Sequence, residues 1–148
     1  MIRPLYLSQK GVDYIREHFG QPDVDLFAFF DNNIFGSLYC LPHHQEGDEK
    51  YAGVDAIGFL TTKTVLGLIF VLPPPGLIQP LVSILQDLSI SEETKILFVV
   101  PDFTASTVRQ ALFHNFNVNQ RRFCSRRSKT LLSKKTRHSY ILFILTAP

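Results

Sequence analysis

An α/β fold, with a mostly parallel sheet finished by an antiparallel hairpin at the C-terminal end, is the class that this 148-residue sequence predicts. Three observations carry it. The runs at 24–30, 65–72 and 95–100 are mostly apolar without strict alternation, as expected of strands buried on both faces. Amphipathic helical patterns stand before, between and after them, so that the order strand, loop, helix repeats. The final segment, 118–148, instead holds two β-type runs around a basic stretch. With 45% apolar residues and a length typical of one domain, the chain can bury a core, and a single unit spanning 1–148 is the economical organisation.

The elements follow in order. Ser8 can cap a helix carrying Val12, Ile15, Arg16 and Phe19, with Gly20 as its stop and Pro22 just beyond. A strand is expected over 24–30, placing Asp25 early in it. After Asn32-Asn33 come a short strand near 37–41, a polar loop at 43–50 and a small segment at 53–56. The run 65–72 reads as a central strand that enters the rigid turn Pro73-Pro74-Pro75-Gly76. A helix over 77–88 follows, its apolar residues Leu77, Ile78, Leu81, Val82, Ile84, Leu85 and Leu88 lying close to one face. The strand at 95–100 ends at Pro101-Asp102, and 106–113 reads as another helix. Last, 121–128 and 139–146 flank 129–138 as a basic hairpin. In such sheets ligands sit outside the carboxyl ends of the strands, which is where Asn32, the 72–75 turn and Asp102 fall.

Net charge is only +2, but its distribution is lopsided. Up to Asp102 there are 6 Lys/Arg and 13 Asp/Glu; from Phe103 onward there are 9 Lys/Arg and no acid. Arg121, Arg122, Arg126, Arg127, Lys129, Lys134, Lys135 and Arg137 make up most of this basic element. Such asymmetry suits a nucleic-acid partner, because cations beside phosphates release condensed counterions. Phosphate contacts would position a nucleic acid without reading its sequence, and an acidic protein partner would satisfy the same charges.

No apolar run is long enough for a membrane span, and the first residues lack a signal-peptide core, so an intracellular protein, nuclear or cytoplasmic, is expected. Cys40 and Cys124 are too few for a disulfide framework and read as free thiols. Cys40, His43, His44 and Glu46 do not form a metal-ligand spacing, and no metal is expected. No Gly-x-Ser-x-Gly or Walker sequence occurs, which leaves hydrolase and nucleotide-triphosphatase readings unsupported. His114 and His138 read as surface residues.

Several separated patches, in one order, resemble a known family. They are Leu7-Ser8-Gln9 through Tyr14-Ile15, His18-Phe19-Gly20, Pro22-Asp23-Val24-Asp25-Leu26-Phe27-Ala28 with Asn32, Val54-Asp55-Ala56, Phe70 through Pro75, and Ile96 through Asp102. Arg122-Phe123 and Tyr140 through Ile144 complete them. Together they look like the phage-type (Dam-like) DNA adenine N6-methyltransferases, including the methylase-derived segment of tyrosine-recombinase retroelements. More distantly they look like the cap-adenosine methyltransferases of the phosphorylated-CTD-interacting-factor family. The resemblance covers nearly the whole chain and implies a Rossmann-like class I methyltransferase fold, S-adenosylmethionine as cofactor, a nucleic-acid substrate and a viral or mobile-element setting. It assigns Asp25, Phe27, Ala28 and Asn32 to the cofactor region and Asp55 to the nucleoside end of the cofactor.

The family's catalytic strand ends in Asn/Asp-Pro-Pro-aromatic, where this chain has Leu72-Pro73-Pro74-Pro75. The adenine amino group is a poor nucleophile, its lone pair delocalised into the ring. Family enzymes accept its protons with the Asn/Asp side chain and a backbone carbonyl, and stack the base on the aromatic residue. Leu72 has no side-chain acceptor, although the Pro73 and Pro75 carbonyls remain. Losing one such positioned contact costs roughly 3 kcal/mol, and losing base stacking about 1–3 kcal/mol more. The glycine-rich loop of typical nucleotide-binding folds is also replaced, by Phe29-Phe30-Asp31. The expectation is therefore a degenerate methyltransferase with weak or no methyl transfer, or a non-enzymatic scaffold or partner subunit that uses its basic hairpin.

Overall fold

The computed structural model describes residues 5–27, 38–40, 51–53, 67–124, 131–133 and 136–148, with the backbone alone at 38–40, 51–53 and 75. Over these residues the protein is a mixed α/β structure of three α-helices and one sheet of seven strands. The strands are β1 (Val24–Asp25), β2 (Leu38–Cys40), β3 (Tyr51–Gly53), β4 (Leu68–Val71), β5 (Lys95–Pro101), β6 (Asn117–Cys124) and β7 (Tyr140–Thr146). The helices are α1 (Gln9–Phe19), α2 (Ile78–Gln86) and α3 (Ala105–Leu112).

Across the sheet the order is β3-β2-β1-β4-β5-β7-β6. Neighbours from β3 to β5 are parallel, and β7 runs antiparallel to both β5 and β6. Chain order therefore reverses between β1 and β4. In an open α/β sheet this reversal opens a crevice at the carboxyl ends, because successive connections leave in opposite directions.

Both faces of β4, β5 and β7 are covered, which explains why these strand sequences are continuous apolar runs. Ile69, Val71, Ile96, Phe98 and Phe143 face α2 and α3, meeting Leu81, Leu85, Val108 and Leu112. Phe70, Leu72, Leu97, Val99 and Leu142 face the other way, towards Val12 and Ile15 of α1. Each side chain so buried contributes about 1.5–3 kcal/mol before conformational entropy is subtracted.

Local signals account for the element ends. The Ser8 hydroxyl accepts the Gly11 N–H at 3.1 Å, and Gly20 leaves α1 with φ of 97°, a conformation in which a side chain is costly. Gly67 enters β4 with φ of 88°. Beside it the Asp23 carboxylate accepts the Leu68 N–H at 2.8 Å, while the Asp23 N–H donates to the Leu68 carbonyl at 2.7 Å. This clamp fixes where β1 and β4 begin to pair.

Three expectations are corrected. The strand expected over 24–30 stops at Asp25, and Leu26 and Phe27 form a turn. Asp25 therefore lies at the carboxyl end of its strand, not early in it. The strand expected to begin at 121 begins at Asn117 and ends at Cys124, antiparallel to β7. Its connection to β7 is not a free basic loop throughout: Leu132 is buried and forms an antiparallel bridge with Leu7. Ser133 N–H donates to the Tyr6 carbonyl and Ser8 N–H to the Leu131 carbonyl, so residues 131–133 pair with the start of the chain beneath α1.

Candidate functional site

The reversal between β1 and β4 brings together two of the sequence-nominated groups. Asp25 is paired in register with Phe70, and the Leu26 N–H donates to the Phe70 carbonyl at 3.1 Å. One residue past β4 the chain enters Leu72-Pro73-Pro74-Pro75, so the end of β1 and the proline turn lie side by side at the carboxyl edge of the sheet. Parallel partners share a face, which places Asp25 with Phe70 on the α1 side of the sheet.

Asp25 is one of two buried polar side chains among the described residues, the other being Thr94. Burial pushes the Asp25 carboxyl up to about 7, against the opposing effect of the Phe27 N–H that it accepts. Near neutral pH this group therefore exchanges a proton. A carboxyl of this kind can accept from a hydroxyl or amine when ionised and donate when protonated.

The proline turn is less open than its sequence suggests. Leu72 is only 6% exposed and packs in the cluster containing Phe70, Val99 and Leu142. Its side chain belongs to the core and is not displayed at the carboxyl edge of the sheet. Pro73 is buried and Pro74 exposed. The Pro74 carbonyl accepts the Leu77 N–H at 2.9 Å, closing a 3-10 turn over Pro75–Leu77 that leads into α2. Proline suits this entry because its φ is preset and it has no N–H to satisfy.

Phe27 is half-buried and packs on the α2/α3 side. Ala28, Asn32 and Asp55 lie outside the described residues, as do Arg126, Arg127, Lys129, Lys134 and Lys135. His43, His44 and Glu46 also lie outside, and among the described residues no group of three or more His, Cys, Asp or Glu could hold a metal ion. Cys124 is a free thiol whose ionisation burial opposes, an environment unlike that of a reactive thiolate.

The described cations do not form one surface. Arg121 pairs with Leu142, which faces α1, whereas Arg122 pairs with Ile141 on the α2/α3 side. Arg121 also donates to the Tyr14 hydroxyl at 3.3 Å, and its guanidinium lies 5.1 Å from the centre of the Phe19 ring. It ties the edge strand to α1 through a cation–π contact as well as presenting charge. Arg122 and Arg137 are exposed.

Sequence reasoning did not single out Phe103. It follows Pro101-Asp102 at the carboxyl end of β5, is 65% exposed, and meets the His138 ring edge-on at 4.6 Å. The available signal was an aromatic residue directly after a strand-ending Pro-Asp, in the part of the chain free of further acids. No helix among the described residues is long and apolar enough to cross a membrane. Compared with protein-family models, curated proteins and solved structures, the chain has no significant match.

Proposed function

We propose that this chain is a nucleic-acid-binding relative of the adenine-N6 methyltransferases, built on a Rossmann-like class I methyltransferase fold, in which methyl transfer is weak or lost. One observation carries the reading: the sheet order β3-β2-β1-β4-β5-β7-β6 puts Asp25 and the Leu72–Pro75 turn on either side of the switch point, and an antiparallel pair finishes the sheet. That is where a doubly wound sheet takes its ligand. In the retained activity S-adenosylmethionine would supply the methyl group by direct displacement. Asp25 would then hold a polar group of the cofactor, and the Pro73 and Pro75 carbonyls would face the base.

The loss of transfer has a physical cause in two positions. Leu72 contributes a core side chain where an amide or carboxylate would have to reach outward, and Pro75 offers no aromatic face. No side chain in Leu72-Pro73-Pro74-Pro75 replaces the missing acceptor, and the Pro74 carbonyl is already engaged by Leu77. The result is a platform that can hold a nucleic acid without polarising its amino group.

Calorimetric titration with S-adenosylmethionine and with S-adenosylhomocysteine tests the reading. Binding of either by the folded protein, followed by methyl transfer to an adenine-containing oligonucleotide on Leu72→Asn, Pro75→Phe substitution, is the expected outcome. Because Leu72 is buried, the double variant is expected to be less stable than the parent, and its folding is checked before its activity. A folded parent that binds neither compound would overturn the cofactor-binding reading. It would favour the second one, a non-enzymatic scaffold or partner subunit, which the enclosed Leu72 side chain also supports.

A further inference from the structure

Phe103 and Phe113 are the two large apolar side chains that the described residues leave in solvent. Isolated exposed apolar residues are common, so position has to distinguish them. Phe113 lies just after α3, at the amino edge of the sheet, and its ring packs on its own chain neighbour His114 at 3.8 Å. Phe103 lies at the carboxyl edge, in the turn that follows β5. Its ring is braced by a residue from a different part of the chain, His138, at 4.6 Å and 62°.

The backbone around that pair is fixed. Pro101 and Tyr140 are partners in the β5–β7 ladder, and the Asp102 N–H donates to the Ser139 carbonyl at 2.8 Å. The Thr104 hydroxyl donates to the Pro101 carbonyl at 2.7 Å, and the Thr136 hydroxyl to the His138 carbonyl at 2.6 Å. An aromatic ring held this way loses little conformational freedom on meeting a flat partner.

We infer that Phe103, braced by His138, is a stacking platform for an unpaired nucleobase. The inference rests on the nucleic-acid reading above and gives it a contact. Charge on either side decides what part of the nucleic acid lies where. Asp102 is exposed immediately before the ring, and its carboxylate repels phosphate. Arg137 is exposed one residue before His138 and attracts it. A neutral base on Phe103 with the sugar-phosphate chain running towards Arg137 satisfies both groups. An acidic peptide would have to place its own carboxylates beside Asp102. The platform follows directly on β5, at the carboxyl edge of the sheet.

The experiment uses the full chain and a single-stranded oligonucleotide carrying one 2-aminopurine and a distant dye, read by anisotropy for affinity and by 2-aminopurine quenching for stacking. The expected result is binding with quenching by the parent. Phe103→Ala should weaken binding about 5- to 100-fold and remove the quenching, as for the loss of one stacked base. Phe103→Tyr should keep both, and Phe113→Ala should change neither. If Phe103→Ala binds and quenches like the parent, the stacking inference is overturned while the nucleic-acid reading stands. If the parent binds no oligonucleotide, or takes an acidic peptide in its place, both fall together.

Discussion

Asp25 and Gly67 show how single positions at the β1/β4 junction hold opposing demands. The Asp25 carboxyl is buried at the end of β1 with its proton affinity raised, so the folded protein binds a proton more tightly than the unfolded chain between the ordinary carboxyl value of about 4 and about 7. Stability contributed by the protonated form is thus fully present below about 4 and declines as pH rises through about 7, levelling off above it. Asp25→Asn should flatten that part of the profile and raise stability above pH 7 by up to a few kcal/mol, as read from urea midpoints between pH 4 and 8.5. A variant with the same pH slope as the parent would rule out Asp25 as the titrating group. At Gly67 a methyl group would meet the Asp23 carboxylate at 2.1 Å, in a backbone conformation with φ of 88°. Gly67→Ala should cost roughly 1–3 kcal/mol in the same assay. Asp23→Ala in the Gly67→Ala background should relieve the clash but lose the hydrogen bond to the Leu68 N–H, so that recovery is incomplete, and the strain in the backbone remains. The sequence displayed the glycine and both acids, yet not their contact, since Asp23 and Gly67 are 44 positions apart.

Helices were the most legible elements because their caps and stripes are local. Ser8, Gly20 and the stripe of Val12 and Ile15 define α1 in the sequence as they do in space. Strand limits were less so: apolar character continues from Leu26 into Phe29-Phe30, but pairing ends where the Leu26 N–H reaches Phe70 and the chain turns. Tertiary pairing overrode local pattern there. The contact of α1 with residues 131–133 was not legible at all, because nothing in a run such as Leu131-Leu132 names its partner. It explains Gly11, whose added Cβ would stand 2.2 Å from the Leu131 carbonyl oxygen. Gly11→Ala should therefore destabilise by about 1–3 kcal/mol despite the better helix propensity of alanine. Gly76→Ala, with nothing within 4 Å of its added methyl, should be neutral or slightly stabilising. Equal effects of the two substitutions on the urea midpoint would refute the close packing of α1 on this segment. The candidate site was legible to a similar degree: the proline turn and Asp25 are visible as residues, while the burial of Leu72 depends on α1 lying over that face.

At the scale of the molecule, distant parts of the chain close one structure. Leu132 joins the core on the α1 side and bridges Leu7, so removing its side chain should loosen two segments at once. Leu132→Ala is expected to cost about 2–5 kcal/mol and to speed amide exchange at both Ser8 and Ser133, whose N–H groups donate to backbone carbonyls across that seam. Faster exchange at one of them alone would mean that the seam does not open as a unit. The alternation of α/β elements was readable because buried strands and amphipathic helices differ in period. The distribution of charge was readable along the chain but not between faces: Arg121 and Arg122 are neighbours in sequence but face opposite sides of β6.

The place of β7 in the sheet also has a consequence for the order of events in synthesis. Because β7 lies between β5 and β6 and follows both in the chain, β5 emerges from the ribosome with one long edge open. β6 emerges with no neighbour to pair with among the described strands. Neither can complete its ladder until residues 140–146 are made, and the seam between 6–8 and 131–133 waits nearly as long. Closure is therefore a late step dominated by contacts distant in sequence, the kind that folds slowly and leaves strand edges open to wrong partners in the interval.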